Sequence, residues 1–229
     1  MSAPTSQPGA GSTARAGWRV RDLEPDDAPS WARCRVLSFL ASDYYDDVHT
    51  EPPTLDRAIR LVAVRAKPAD VLTPGAEEVV GILDIELFDA DDDHEQPFAT
   101  IDTVAVHPDH LRRGIADALL GEGLRRLAGT DAVLLDAWTR EDEAANRWYQ
   151  NAGFHERFAY VHVHKDWDDP HDGFASPDQL SRPVKVFAHG RLEDLAVLRE
   201  RYRRVYICRR YVRPLRDTGA AGAESVTDT

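Results

Sequence analysis

Ile101-Asp102-Thr103-Val104-Ala105-Val106-His107-Pro108-Asp109-His110-Leu111-Arg112-Arg113-Gly114-Ile115-Ala116 is the stretch whose reading decides the fold. Its first six residues form an apolar strand. Pro108 breaks it, and from Gly114 a helical pattern runs to about Gly129. A second apolar strand, Ala132 to Trp138, leads to a second helix that carries Asn146, Trp148 and Tyr149. That helix closes at Ala152-Gly153-Phe154, with glycine in the position that favours a helix stop. Gly114 and Ala116 sit between strand and helix start, where small residues let the backbone approach a ligand. The free N–H groups and positive dipole end of a helix start suit a pyrophosphate there. Arg112 and Arg113 add charge. A Walker-type lysine and hydroxyl are absent, as are the spaced glycines of a dinucleotide fold, so neither of those loops is present.

Outward toward the N-terminus, Val79 to Phe88 is the clearest strand by alternation. Val79, Gly81, Leu83, Ile85 and Leu87 share an apolar face that belongs to the core. Val80, Ile82, Asp84, Glu86 and Phe88 share the other, which suits a partly wet cleft. Upstream, Trp18 to Arg21 reads as a short strand, and Pro25-Asp26-Asp27 starts a helix with apolar residues at Trp31, Cys34, Leu37 or Ser38, and Leu40. Residues 42–54 are acidic. A second helix is expected to start at Thr54 and run into a strand, Arg60 to Lys67; Pro68 to Gly75 reads as a loop and Asp89 to Glu95 as an acidic hairpin loop.

Toward the C-terminus, Gly153 to Lys165 reads as a long strand with His162 and His164 on one face, and Asp166 to Arg182 as a polar loop. An amphipathic helix is expected over 190–203 with Leu192, Leu195, Leu198 and Tyr202 on one side, then a last strand, Val205 to Val212, ending before Pro214. Alternating strands and helices predict an α/β or α+β domain with a mixed sheet over 18–214, with disordered segments at 1–17 and 215–229.

The formal charge of −12 over 229 residues argues against nucleic-acid binding and mildly favours cationic small molecules, although acidity also serves solubility alone. No run is long enough to span a bilayer, and residues 1–17 lack the apolar core of a secretory signal. Cys34 and Cys208 are read as buried free thiols in a reducing, cytoplasmic setting. His107 and His110 lack the partners of a zinc pattern and read as loop residues; His162 and His164 read as solvated strand histidines, so no metal site is assigned.

The 101–116 stretch, followed by Asn146 through Tyr149 to Gly153-Phe154, resembles the GNAT N-acetyltransferase superfamily, with its motif A over 101–129 and motif B over 132–154. The resemblance implies the GNAT fold, a mixed and mostly antiparallel central sheet flanked by helices, and acetyl-CoA as co-substrate. It implies that the backbone of Val104, Ala105 and Val106 bonds the pantetheine arm. Arg112, Arg113, Gly114, Ile115, Ala116 and Asp117 would cradle the pyrophosphate, Asn146 would contact the cofactor, and Tyr149 would be the general acid. Leu111 departs from the glutamine or arginine usual in the family and removes one side-chain contact.

The chemistry asks for more. An alkylamine is mostly protonated near neutral pH and must lose that proton before attacking a thioester. Asp102 and Glu86 are equally placed as the carboxylate that takes it, with Asp84 behind them. A backbone N–H near Val104 would stabilise the oxyanion. The expected activity is acetyl transfer to a primary amine on a small, cationic acceptor, with the acidic stretches 43–56 and 89–95 at its entrance. The alternative is a non-catalytic acyl-CoA sensor. The basic segment 190–216 reads either as a homodimer or partner surface or as a solvated helix face.

Overall fold

The computed structural model describes residues 17–67, 77–90 and 95–216. All but residue 17 of the expected leader, all but residues 215 and 216 of the expected tail, the loop at 68–75 and most of the acidic hairpin at 89–95 lie outside them. The chain forms two compact units, residues 1–87 with 102–130, and residues 88–101 with 131–229.

The first unit begins with β1 (Arg19–Asp22), a 3-10 turn at Pro25–Asp27 and α1 (Ala28–Phe39). It continues with β2 (Ala58–Ala66), β3 (Glu77–Phe88), the later half of β4 (Phe98–Val106), a 3-10 turn at Pro108–His110 and α2 (Ile115–Leu127). β1 pairs antiparallel with β2, and β2 with β3. The expected helix at Thr54 does not form: residues 52–55 carry no regular structure before β2 begins at Ala58. Two prolines followed by four residues leave too few positions to propagate a helix past its costly nucleus.

Apolar side chains leave both faces of this sheet. α1 covers one through Trp31 and Cys34, which pack with Val62, Val64, Val79, Ile82 and Ala105. α2 covers the other at close range. A Cβ at Gly81 would lie 2.5 Å from Ile115 Cγ2, and one at Gly123 would lie 2.9 Å from Ile85 Cδ1, so glycines set this approach.

The alternation expected for β3 holds except at its start. Ala63 pairs with Gly81 but Val64 pairs with Val79, so Val80 is an extra residue in β3. Such a bulge shifts the side-chain alternation by one. Val79 therefore joins Ile82 under α1 instead of facing α2 with Gly81.

The second unit holds the first half of β4, then β5 (Leu134–Thr139), α3 (Glu143–Asn151), β6 (His155–Lys165), β7 (Val186–Gly190), a 3-10 turn at Leu192–Asp194, α4 (Leu195–Arg201) and β8 (Arg204–Pro214). Strand order is β1-β2-β3-β4 in the first unit and β4-β5-β8-β6-β7 in the second. β4 and β5 are parallel; β5–β8, β8–β6 and β6–β7 are antiparallel. Val161, Val163, Tyr202 and Val205 form a core onto which Leu195 and Leu198 pack. The helix expected over 190–203 is thus a short α4 preceded by a 3-10 turn, with Leu192 exposed. β7 carries no alternation signal strong enough to read from the sequence.

The arginines of the basic segment are largely paired inside this unit. Arg199 bonds Glu141, Arg201 bonds Asp172, Arg209 bonds Glu156 and Arg210 bonds Asp136.

Candidate functional site

The loop after β4 has a backbone geometry that suits an anion. His107 N–H donates to Val80 O at 3.0 Å, which holds the strand end to β3. The His107 ring then accepts from Asp109 N–H and turns the chain. Arg112 (φ 59°) and Gly114 (φ 74°) both adopt left-handed backbone. Such residues turn successive N–H groups to one side, the geometry of backbone anion nests. Gly114 is also the N-cap of α2, and no side chain caps that end. A Cβ at Gly114 would meet nothing within 4 Å, so its φ alone demands glycine.

The uncapped first turn, residues 115–117, leaves helix-start N–H groups for an outside acceptor. The donor set fits a phosphate or pyrophosphate. Arg112 and Arg113 are exposed, and Arg113 Nη2 donates to Asp109 O at 3.1 Å. Leu111 is exposed and brings no polar contact. Upstream, Ala105 is buried against α1 while Val104 and Val106 are half-buried.

The three candidate carboxylates differ sharply. Asp84 is 1% exposed, so its part of the β3 face is not wet as expected. Its Oδ1 accepts from Arg60 Nε at 3.1 Å. Burial raises the Asp84 carboxyl above the usual carboxylate range, with Arg60 opposing. Asp84 Oδ2, Trp31 Nε1 and Arg60 Nη2 are buried without a hydrogen-bond partner among the described residues. Asp102 is exposed, accepts from the Thr103 hydroxyl at 3.0 Å, and its charge reaches both Asp84 and Arg35. Glu86 is half-buried.

Arg35 is a polar residue of this region that sequence reasoning missed. It is 3% exposed, its guanidinium lies 3.2 Å over the Phe39 ring, and it bonds Asp47 at 2.9 Å. Its position four residues after Trp31, on the apolar face of α1, was the available signal.

In the second unit, Asp142 caps α3 by accepting from Ala145 N–H at 2.8 Å. The Asn146 amide is fully engaged. Nδ2 donates to the carbonyls of Arg140 and Asp142, both at 2.7 Å, and Oδ1 accepts from the Tyr211 hydroxyl at 3.0 Å. Tyr149 is 4% exposed; its ring stacks on Tyr211 and meets Trp148 and Phe154 edge-on.

His162 is not solvated. It is 7% exposed, takes a hydrogen bond from Arg140 Nε on Nδ1 at 3.1 Å, meets the Tyr160 hydroxyl at 2.9 Å and stacks on His189. The sequence showed only alternation, which cannot reveal that β7 lies against β6. Among the described residues no group of three or more His, Cys, Asp or Glu is placed to hold a metal.

Residues 69–156 match the acetyltransferase (GNAT) domain family. No curated protein matches the chain by sequence. Arabidopsis thaliana NAA60 in complex with acetyl-CoA is similar in fold: TM-score 0.52 at 15% identity, over 85% of this chain and 97% of that one. So is yncA from Salmonella typhimurium, a putative acetyltransferase with its cofactor acetyl-CoA: TM-score 0.51 at 14% identity, over 91% and 99%. At these identities the likeness concerns the fold, a mixed and mostly antiparallel sheet flanked by helices. The family match spans β3, β4, α2, β5 and α3, with the nest-and-helix loop at its centre, so residues 69–156 are the part of this chain that matches a GNAT acetyltransferase domain.

Proposed function

We propose that the chain is an N-acetyltransferase that moves the acetyl group of acetyl-CoA directly to a primary amine. One observation carries the donor side: left-handed Arg112 and Gly114 lead into an uncapped helix, a phosphate cradle at the position the family uses. Val104 to Val106 bond the pantetheine arm, and residues 112–117 take the pyrophosphate.

Asp102 is the preferred base. It is exposed, whereas Asp84 is sealed against Arg60. Asp102 takes the amine proton, Asp84 and Arg35 set the field around it, and Tyr149 returns a proton to the leaving thiolate. The acceptor is a small cationic amine, consistent with the acidity of residues 43–56.

Thermal shift with acetyl-CoA tests the donor. The melting temperature should rise with concentration, by RT ln(1 + [L]/Kd) in free energy, and no rise at millimolar ligand overturns the reading. Release of free thiol across a panel of amines and peptide N-termini tests transfer. Asp102→Asn should lower turnover by about 10²-fold or more while donor binding persists, and Tyr149→Phe should behave likewise. Unchanged turnover removes the residue from its role.

A second reading, an acyl-CoA sensor without turnover, draws on the engaged Asn146 amide and the buried Tyr149. Donor binding with no thiol release from any acceptor would favour it.

A further inference from the structure

A cavity of about 290 Å³ opens where α1, β2 and β3 meet the loop 107–113. Its size is close to the lower end of small-ligand pockets, roughly 300 Å³. α1 contributes Ser30 and Arg33, β2 contributes Arg65, and the loop contributes His107, His110 and Arg113. Two acids also line it. Glu78 is already held by Arg65 Nε at 3.1 Å. The Asp109 carboxylate is 84% exposed and lies 3.9 Å from His107 Nδ1. Arg113 spends one N–H on the uncharged Asp109 carbonyl, which leaves its charge uncompensated by that bond. Arg33 and Arg113 therefore give the cavity an excess of positive charge, on a chain whose net charge is −12. General composition does not produce such a site.

The polar groups also point to an oxyanion. Ser30 Oγ accepts from Val79 N–H at 2.8 Å, so its own hydrogen remains to donate. Arg65 Nη1 lies 3.4 Å from His110 Nε2, and His110 is 6% exposed. Burial, Arg65 and Arg113 together keep this histidine below its ordinary range, a penalty that a bound anion would relieve. Three arginines and a serine lining one small space suit the several oxygens of a phosphoryl group better than a single carboxylate.

We propose that this cavity binds a phosphate group, gripped by Arg33, Arg65 and Arg113 with the Ser30 hydroxyl as a further donor. Two sources carry that chemistry: a free phosphate, or the 3′-phosphate on the nucleotide end of the acetyl donor. Only the second rests on the proposed function.

Calorimetric titration of the full chain with inorganic phosphate at low ionic strength, alone and with saturating acetyl-CoA, tests it. The variants are Arg33→Glu and Arg33→Gln, both on the exposed side of α1, with melting curves to confirm that they fold. Arg33→Glu should weaken the affected ligand by about tenfold or more, and Arg33→Gln by less. If free phosphate is the occupant, it binds in the presence of acetyl-CoA and the variants weaken it there. If the donor's own phosphate is the occupant, the variants weaken acetyl-CoA but leave its 3′-dephospho analogue unchanged. Variants that bind phosphate, acetyl-CoA and the analogue as the parent does overturn the proposal. So does a parent that binds neither phosphate nor acetyl-CoA. A parent that binds phosphate with Arg33 dependence but not acetyl-CoA keeps this site and removes the donor reading.

Discussion

At His162 the fold refuses a charge. Burial comes first, then the Arg140 guanidinium, then His189 and His164; together they lower its pKa from 6.5 to about 3. An unfolded chain would take up a proton near pH 6.5 that the folded chain does not accept until about pH 3. Stability from this residue is complete above pH 6.5 and is lost as pH falls toward 3. Near pH 5 the loss is about 2 kcal/mol. Urea midpoints of the parent and His162→Gln should therefore converge on acidification from pH 7.5 to about 5, because glutamine does not titrate. Parallel midpoints would show that His162 takes up its proton as readily in the fold as in the unfolded chain. The same scale separates Asp102 from Asp84: two acids that look equivalent in a strand pattern end as one exposed carboxylate and one buried beside Arg60.

At the scale of elements, the contact between α2 and β3 governs the proposed phosphate cradle, because Ile115 is both the first residue of α2 and the neighbour of Gly81. A Gly81→Ala methyl would press on Ile115 Cγ2 at 2.5 Å and Leu119 Cδ1 at 3.0 Å. Overpacking of this kind costs about 1–3 kcal/mol. The variant should melt lower and also bind acetyl-CoA more weakly, since the helix start must shift. A normal melting temperature would mean that α2 yields freely. By contrast Gly121, with nothing within 4 Å of a Cβ, should accept alanine and gain slightly in helix propensity.

Over the whole molecule, two thiols report on integrity. Cys34 sits on α1 and is packed against the sheet, where burial pushes its thiol up to about 12, and Cys208 on β8 is likewise raised by burial. A thiol reagent at neutral pH should react with neither in the native protein and with both in denaturant. Native-state reaction as fast as in denaturant would show that these cores open readily. Ion pairs form within each unit: Arg21 with Asp27 and Glu77 in the first, Arg210 with Asp136 in the second. The basic run at 190–216 is accordingly consumed largely at home.

The sequence by itself determined the strand–loop–helix unit, since Pro108, Gly114 and Gly153 act locally through φ and missing donors and need no distant partner. It likewise determined β3, α2, α3 and β8, whose apolar periods are long enough to name the element. Tertiary structure alone decided which face Val79 takes, because one bulged residue opposite Ala63 and Val64 reverses the alternation. It also decided that Asp84 is sealed, that Asn146 turns its amide to Arg140 and Tyr211, and that His162 is buried. Each of these depends on a partner far away in sequence or on a neighbouring strand. Periodicity records which way a side chain points, and only packing settles what it meets there.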